Sequence, residues 1–192
     1  MTVIDAFGHP PPPAAVEAAA AALTAGGLVG LPTDTLYGLV GNAEAIYAAK
    51  GRPAEVHLPV LVADRRAAER LVGAVPPLAG RLMDAFWPGA LTIVLGRRGG
   101  GTVGVRCPGH PVAQAVLRAA GPQPSSSANR HGQPPLTTAG ELAATFGAAV
   151  ALVLDAGPCE GSPSTVVDCT GEAPVVLRDG RIARRALEEA LA

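Results

Sequence analysis

Five short polar clusters interrupt an otherwise apolar chain of 192 residues, in which 48% of the residues are hydrophobic and 16% are charged. The clusters are residues 32–38 (PTDTLYG), 50–53 (KGRP), 102–106 (TVGVR), 125–129 (SSSAN) and 161–165 (GSPST). Their cations, hydroxyls and glycines are residue types that bind phosphate and other anions. Each cluster alone also fits a turn or a charged helix end. The chemistry that they could share is the binding of an anionic ligand.

Lys50 and Arg106 are the cations that we consider the strongest candidates for binding such a ligand. Lys50 is the only lysine beside fourteen arginines, and lysine provides a compact ammonium that a guanidinium does not copy. We therefore expect Lys50 to act in a site and to be dispensable for folding. Arg106 lies on a predicted strand that turns Thr102, Gly104 and Arg106 to one face. In so apolar a chain Arg106 needs an anionic partner, which is either a carboxylate of the protein or one of a ligand.

Several familiar site motifs are absent from the sequence. It contains no GxxxxGK[ST] phosphate loop, no GxSxG elbow and no HExxH pair, and its one GxGxxG string, at residues 99–104, leads into a predicted strand and not into the helix that a dinucleotide-binding motif needs. The three cysteines form no CxxC pair and the four histidines are scattered, so we expect no metal held by protein ligands. The net charge of −1 and the 3% of aromatic residues argue against a protein that depends on nucleic-acid contacts, although a local basic groove stays open.

A chain of this length is sufficient to bury a hydrophobic core of its own. No apolar stretch approaches the roughly 20 residues that a membrane-spanning helix needs. The N-terminal residues lack the basic start and apolar stretch of a secretory signal. We therefore expect a cytoplasmic protein that makes no contact with a membrane.

Glycines, prolines and apolar periodicity divide the chain into short elements without a strict βαβ repeat. Helices are predicted at residues 14–25, 43–50, 65–72, 78–86, 111–120, 137–146 and from 183, strands at 28–31, 58–62, 91–95, 102–106, 150–154, 164–168 and 175–177, and a turn with an extended segment at 32–41. This pattern predicts a single α/β domain at residues 14–192, with a twisted, mixed parallel and antiparallel sheet flanked by helices. Residues 1–13 are expected to form a Pro-rich N-terminal tail, and residues 125–129 a polar loop.

Taken in order, the polar motifs resemble those of one family. PTDTLYG, KGRP, FWPGALTIVL, TVGVRCP, SSAN with Gly132, PSTVVD and LRDG follow one another as in the YrdC-like threonylcarbamoyl-AMP synthases, over about residues 14–182. The resemblance implies a single-domain, YrdC-like fold with a concave, positively charged cavity. It also implies an L-threonylcarbamoyladenylate synthase, a nucleotidyltransferase that joins L-threonine, bicarbonate or CO2, and ATP and releases pyrophosphate. The adenylate would serve threonylcarbamoyladenosine modification of tRNA.

The resemblance also implies roles for single residues. It gives Thr35, Arg106, Ser125 and Ser164 as contacts to L-threonine, Arg52, Thr102, Ser127 and Arg178 as contacts to ATP, and Lys50, Arg52 and Asn129 as catalytic. Arg106 is expected to meet the threonine carboxylate. Mg²⁺ is expected to bind the phosphates of ATP. The expected partners are ATP, L-threonine, bicarbonate and a threonylcarbamoyl-transferase complex acting on tRNA, with a weak affinity for RNA.

One loop departs from the family pattern. Val56 and His57 stand before Leu58, where the family usually has a polar residue and a proline. The departure predicts the loss of a polar nucleotide contact at position 56, and His57 is expected to face solvent. Two other functions stay open at this point. One is a carbamoyltransferase paralogue that handles carbamoyl-adenylate, and the other is a module that binds double-stranded RNA or tRNA.

Overall fold

Ten strands and seven α-helices alternate irregularly along residues 1–51, 53 and 57–192, which are the residues that the computed structural model describes. The strands are β1 (Thr2–Asp5), β2 (Leu28–Pro32), β3 (Tyr37–Gly41), β4 (Val60–Leu61), β5 (Leu91–Gly96), β6 (Thr102–Arg106), β7 (Gln123–Ser127), β8 (Leu152–Asp155), β9 (Thr165–Asp168) and β10 (Val175–Arg178). The helices are α1 (Pro13–Thr24), α2 (Ala43–Lys50), α3 (Arg65–Leu71), α4 (Pro77–Phe86), α5 (Pro111–Ala120), α6 (Ala139–Phe146) and α7 (Arg184–Leu191), and a short 3₁₀ helix (Gly147–Ala149) follows α6.

The ten strands form one sheet in the order β1-β8-β2-β3-β7-β4-β6-β5-β9-β10. The pairs β1–β8, β2–β8, β4–β6 and β5–β9 are parallel. The pairs β2–β3, β3–β7, β4–β7, β5–β6 and β9–β10 are antiparallel. The prediction of one α/β domain with a mixed sheet is therefore confirmed.

Helices cover the two halves of the sheet differently. In the half that contains β2, β3 and β8, apolar residues on one face pack against α1 and α5, and those on the other face pack against α2 and α6. In the half that contains β5, β6 and β9, the apolar residues pack against α3, α4 and α7 on one face. Among the described residues, no helix packs on the opposite face of this second half, and that face is open for a site.

The alternation of side chains along a strand decides which residues reach the open face. Leu91, Ile93 and Leu95 of β5 are fully buried in the core beneath α3 and α4, whereas Thr92 and Val94 turn the other way into a cavity. The strand β6 follows the same rule, because its even-numbered residues, among them Arg106, line the cavity. The predicted shared face of Thr102–Arg106 is thus confirmed.

The first residues of the chain belong to the sheet, so the expectation of an irregular tail is wrong for Thr2–Asp5. All four residues of β1 pair in parallel with β8. The backbone N–H of Ala6 then donates to Asp155 O at 2.8 Å, and Ala6 is fully buried. The prolines do break regular structure, but they come after the strand and lead directly into α1, which accepts Pro13 in its first turn.

The serine-rich segment is the second element that differs from the sequence analysis. Instead of a loop, Ser125, Ser126 and Ser127 belong to β7, in the middle of the sheet. β7 pairs with β3 on one side and with β4 on the other, and these backbone hydrogen bonds outweigh the low strand preference of serine next to Pro124. The serines are therefore held by a rigid element instead of a flexible one.

Two helices near this strand begin and end as their sequences predict. The side chain of Asn42 accepts from Ala45 N at the start of α2, and Gly51 ends that helix in the left-handed conformation with φ 61°. Thr138 and Glu141 form a capping box at the start of α6. None of the helices in the described part of the chain is long and apolar enough to cross a membrane.

Candidate active site

A cavity of about 580 Å³ opens on the helix-free face of the sheet. Seven of the residues singled out by the sequence line it, namely Thr35, Thr102, Arg106, Ser125, Ser127, Ser164 and Arg178. They come from five separate segments of the chain, and the order of the strands in the sheet brings them together. No acidic side chain is among the described lining residues, whereas two arginines are, so the cavity favours an anionic ligand.

The remaining wall of the cavity is largely apolar. Leu36, Leu58, Leu61, Val94 and Val166 line it, together with Pro59, Pro135 and Pro163. Such a wall lowers the local dielectric and strengthens every charge interaction inside. His57, which was expected to face solvent, is exposed and yet also lines the cavity. The lining residues that were not named as candidate contacts include Thr33, Thr92 and Ser126. Thr33 and Ser126 lie in the polar clusters at 32–38 and 125–129, whereas only its inward-facing place on β5 reveals Thr92.

Arg106 lies at the inner end of β6, is 7% exposed, and is held by three acceptors. Its Nε donates to Gly89 O at 3.0 Å, Nη1 donates to Thr35 Oγ1 at 2.9 Å, and Nη2 donates to Asp34 Oδ1 at 2.8 Å. Burial lowers the pKa of Arg106, and the neighbouring Asp34 carboxylate partly offsets this effect. Of the five N–H groups of the guanidinium, two have no partner among the described residues, one on each terminal nitrogen.

Thr35 presents an acceptor to the cavity. The hydroxyl of Thr33 donates to Leu36 O at 2.6 Å, so the hydrogen in the 2.9 Å contact between Thr33 Oγ1 and Thr35 Oγ1 comes from Thr35. Thr35 Oγ1 also accepts from Arg106 Nη1. One lone pair remains on this oxygen, and it suits a ligand N–H. Ser125 Oγ, in the same wall, has no hydrogen-bond partner among the described residues.

Arg178, Ser164 and Thr92 form a second polar group. Arg178 Nη2 donates to Ser164 O at 2.8 Å and to Ser164 Oγ at 3.0 Å. The hydroxyls of Ser164 and Thr92 are 3.0 Å apart, and both residues are buried. The carbonyl and the hydroxyl of Ser164 thus orient the guanidinium of Arg178, which lies on the exposed strand β10 at the rim of the cavity.

Lys50 occupies a different place from the one that the sequence suggests. It is 3% exposed, and it is not among the described residues that line the cavity. Its ammonium donates to Ser127 O at 2.5 Å, to Asn129 O at 2.6 Å and to Asn129 Oδ1 at 3.0 Å. Such burial favours a role in folding over the expectation that Lys50 is dispensable for it, because the ammonium donates to oxygens at the end of β7.

Asn129 also acts inside the protein. Its Oδ1 accepts from Ser127 Oγ at 2.6 Å as well as from Lys50, and its Nδ2 donates to Arg130 O and Gln133 O at 3.0 and 2.6 Å. The side-chain amide is therefore fully engaged. Because Ser127 gives its hydrogen to Asn129, its oxygen faces the cavity as an acceptor. Asn129 lies beside the cavity and is not one of its described lining residues.

Arg52, predicted both as catalytic and as an ATP contact, lies outside the described residues, as does Val56. Among the described residues, no three His, Cys, Asp or Glu side chains come together to hold a metal ion. The cysteine thiols are also not poised for reaction, because burial raises the pKa of Cys107, Cys159 and Cys169. The chemistry of the described site is thus that of arginines, hydroxyls and backbone groups.

The fold and the site together define a class, which is an α/β domain whose mixed sheet carries a cationic cavity on the open face of one half. Residues 21–180 match the model of the Sua5/YciO/YrdC family, which is described as telomere recombination. The chain belongs to the Sua5/YciO/YrdC family, and the resemblance seen in its motifs is confirmed.

Similar proteins agree with this membership. A Mycobacterium tuberculosis protein that carries a threonylcarbamoyl-AMP synthase name is 41% identical over 185 residues, covering 88% of this chain and 85% of its own length. The Bacillus subtilis threonylcarbamoyl-AMP synthase is 40% identical over 179 residues, which cover 84% of this chain and 52% of that relative. The crystal structure of Pyrococcus abyssi Sua5 complexed with L-threonine matches with a TM-score of 0.94 and 33% identity, covering 100% of this chain and 61% of that one.

Proposed function

We propose that this protein is a threonylcarbamoyl-AMP synthase, which joins L-threonine, bicarbonate or CO2, and ATP into threonylcarbamoyl-AMP and pyrophosphate. The observation that carries the proposal is Arg106, a buried arginine in the cavity wall with one N–H left on each terminal nitrogen. Two such donors match the two oxygens of an amino-acid carboxylate. The names of the Bacillus subtilis relative and of the threonine-bound Pyrococcus abyssi structure support the same substrate.

The proposed reaction depends on positioning more than on proton transfer. The threonine amine takes up CO2 and loses a proton to form a carbamate. A carbamate oxygen then forms a bond to the α-phosphorus of ATP, while the bond from that phosphorus to the pyrophosphate oxygen breaks. Because the carbamate is already an anion, no strong general base is required. The protein must instead neutralise a carboxylate, a carbamate and a triphosphate in one cavity.

The cavity has the length and the polar groups for this arrangement. Thr102 and Arg106 stand at the two ends of β6, about 13 Å apart along the strand. Arg106 binds the threonine carboxylate at the inner end, and Thr35 Oγ1 accepts from the nitrogen of the amino acid. Arg178 and Thr102 lie toward the nucleotide, where Ser127 accepts from a ribose hydroxyl or an amino group of the base. The remaining predicted threonine contacts, Ser125 and Ser164, lie in the same wall.

Lys50 and Asn129 serve this reaction as positioning residues. Their hydrogen bonds to Ser127 fix the end of β7, and so they fix the oxygen that Ser127 turns to the nucleotide. Arg52 comes two residues after the end of α2 in the sequence and is proposed as a further phosphate contact. Mg²⁺ is proposed to arrive with ATP as the counter-ion of its phosphates and to neutralise charge there.

Pyrophosphate release from ATP tests the function directly. We expect that pyrophosphate is released only when both L-threonine and bicarbonate are present. Mass spectrometry should then identify threonylcarbamoyl-AMP as the product. The Arg106→Ala variant should raise the threonine KM by at least about 10- to 100-fold, which is the loss expected for one of its two charge-assisted hydrogen bonds alone, and should change the ATP KM little. Arg185→Ala is the matched control, because that side chain is 88% exposed on α7. Pyrophosphate release that is independent of threonine would refute the proposal.

The same assay separates the two alternative functions. Release that requires carbamoyl phosphate in place of threonine and bicarbonate would indicate the carbamoyltransferase paralogue. Binding of double-stranded RNA without any ATP-dependent turnover would indicate a binding module. The apolar wall and the small volume of the cavity favour a small molecule over a duplex.

The fate of the product is part of the proposal. Threonylcarbamoyl-AMP would pass to a threonylcarbamoyl-transferase complex that modifies tRNA, and a weak affinity for RNA would assist this transfer. Adding such a complex and substrate tRNA should convert the released adenylate into threonylcarbamoyladenosine, as measured by nucleoside mass spectrometry. A product that no tRNA takes up would contradict this step and leave the synthase activity itself intact.

A further inference from the structure

Asp34 is a half-buried carboxylate that holds Arg106 from behind the cavity wall. Its Oδ1 accepts from Arg106 Nη2 and from the backbone N–H of Gly109, both at 2.8 Å. Arg106 and Thr35 line the cavity, whereas Asp34 is not among its described lining residues. An effect of Asp34 on a bound ligand therefore passes through Arg106.

The turn that carries Asp34 is itself rigid. Thr33 Oγ1 accepts from the backbone N–H groups of Thr35 and Leu36, both at 3.2 Å, and so closes the turn around Asp34. From outside, Arg181 Nη1 donates to Asp34 O at 2.7 Å. The Asp34 carboxylate is thus a fixed acceptor to which the Arg106 side chain adjusts.

Asp34 is the charged member of the set that holds the guanidinium. The other two acceptors are the carbonyl of Gly89 and the hydroxyl of Thr35, which are neutral. Three contacts on three different nitrogens leave the planar guanidinium one orientation. In that orientation each terminal nitrogen keeps one N–H for a ligand, so the orientation decides whether a carboxylate is met by two hydrogen bonds or by one.

We propose that Asp34 is a positioning residue that fixes the Arg106 guanidinium for two-point binding of the amino-acid carboxylate. The identity of that substrate rests on the proposed function, whereas the contact between Asp34 and Arg106 does not. The effect is one of orientation, because the negative charge of Asp34 by itself repels an anion at Arg106. An uncharged acceptor of the same shape should therefore replace Asp34 without loss of threonine binding.

Two substitutions separate orientation from charge. Asp34→Asn keeps an oxygen for Arg106 and Gly109, and we expect its threonine KM to stay within about threefold of the wild type. Asp34→Ala removes the acceptor, and we expect the threonine KM to rise at least about tenfold while the ATP KM stays within about twofold. The matched controls are Asp84→Asn and Asp84→Ala, which alter the exposed pair of Asp84 with Arg65 at 2.7 Å and should leave both constants unchanged.

Three results would overturn the proposal. The first is a wild-type threonine KM in Asp34→Ala. The second is an equal loss in Asp34→Asn and Asp34→Ala, which would show that the charge and not the orientation matters. The third is a parallel rise of the threonine KM and the ATP KM in Asp34→Ala together with a lowered melting temperature, which would show a merely structural role.

A measurement without substrate keeps this proposal separate from the proposed function. In ¹⁵N NMR spectra of the free protein, the Arg106 Nε–H, which donates to Gly89 O, should exchange slowly with solvent in the wild type and in Asp34→Asn. It should exchange faster in Asp34→Ala, and Arg106→Lys assigns the signal by its disappearance. Equal exchange in all three proteins would overturn the role of Asp34, whereas absent threonine binding in the wild type would overturn only the proposed function.

Discussion

Replacing Lys50 by methionine should destabilise the whole domain, although Lys50 carries a charge. The ammonium is 3% exposed and donates to three oxygens of Ser127 and Asn129, and methionine keeps the length of the side chain without any donor. A buried hydrogen bond contributes a net of about 1 kcal/mol, so the three together are worth about 3 kcal/mol of unfolding free energy. For a chain of 192 residues this corresponds to a fall in Tm of about 6–12 °C.

Urea unfolding followed by circular dichroism measures this loss, and a thermal scan measures the shift in Tm. The matched control is Arg185→Met, which removes a cation that is 88% exposed and pairs with Glu189 on the surface of α7. A surface ion pair of this kind contributes about 0.5 kcal/mol. An unfolding free energy of Lys50→Met within about 1 kcal/mol of the wild type would refute the view that Lys50 holds the end of β7.

The remaining predictions concern the start of α6. Thr138→Ala removes the helix cap, and it should lower the unfolding free energy by about 1 kcal/mol in urea titrations, whereas Thr170→Ala, at an exposed turn, should change it less. Hydrogen bonds from Thr137 N, then from the hydroxyl and N–H of Thr138, lower the pKa of Glu141 below its ordinary 4.5. Its stabilising effect is therefore present above that value and is lost as the pH falls through the lower folded pKa. Glu141→Gln should flatten the fall of Tm between about pH 5 and pH 3, and an unchanged slope would contradict this.

Most elements of the fold follow from local sequence features. The helix α2 was predicted at 43–50 and is found there, because Asn42 and Gly51 at its ends are residue types that cap helices. The strands β5 and β6 were predicted within one residue, because both are rich in β-branched residues and the glycine-rich connection 96–101 separates them. Where the sequence has cap residues, glycines or β-branched residues of this kind, the observed helices and strands agree with the prediction. The strands also form the mixed sheet that was predicted.

The two strands that the sequence analysis missed lack these local signals. β1 is an edge strand of four residues and is stabilised by its pairing with β8, about 150 positions away in the chain. β7 contains a proline and three serines, and it exists because β3 and β4 offer hydrogen-bond partners on both sides. Long-range pairing of this kind leaves no trace in the composition of the segment itself.

The candidate site, like the fold, was predicted from the sequence only in part. The order of seven motifs was sufficient to identify the family and to name Thr35, Arg106, Ser164 and Arg178, all of which line the cavity. The sequence alone also fixed which residues of β6 share a face, because side chains alternate along any strand. Their roles in threonine and ATP binding stay predictions that the assays above decide.

Only the tertiary structure decided how the charges are shared. The sequence predicted that Lys50 binds a ligand, whereas in the fold its ammonium donates to oxygens of the protein. The sequence did not decide whether the anionic partner of Arg106 is a carboxylate of the protein or one of a ligand. In the fold, Asp34 is the protein partner, and two N–H groups of Arg106 have no partner among the described residues. The physical reason is that hydrogen-bond donors and acceptors are satisfied by whatever lies within about 3 Å, and that neighbourhood is set by strands distant in sequence.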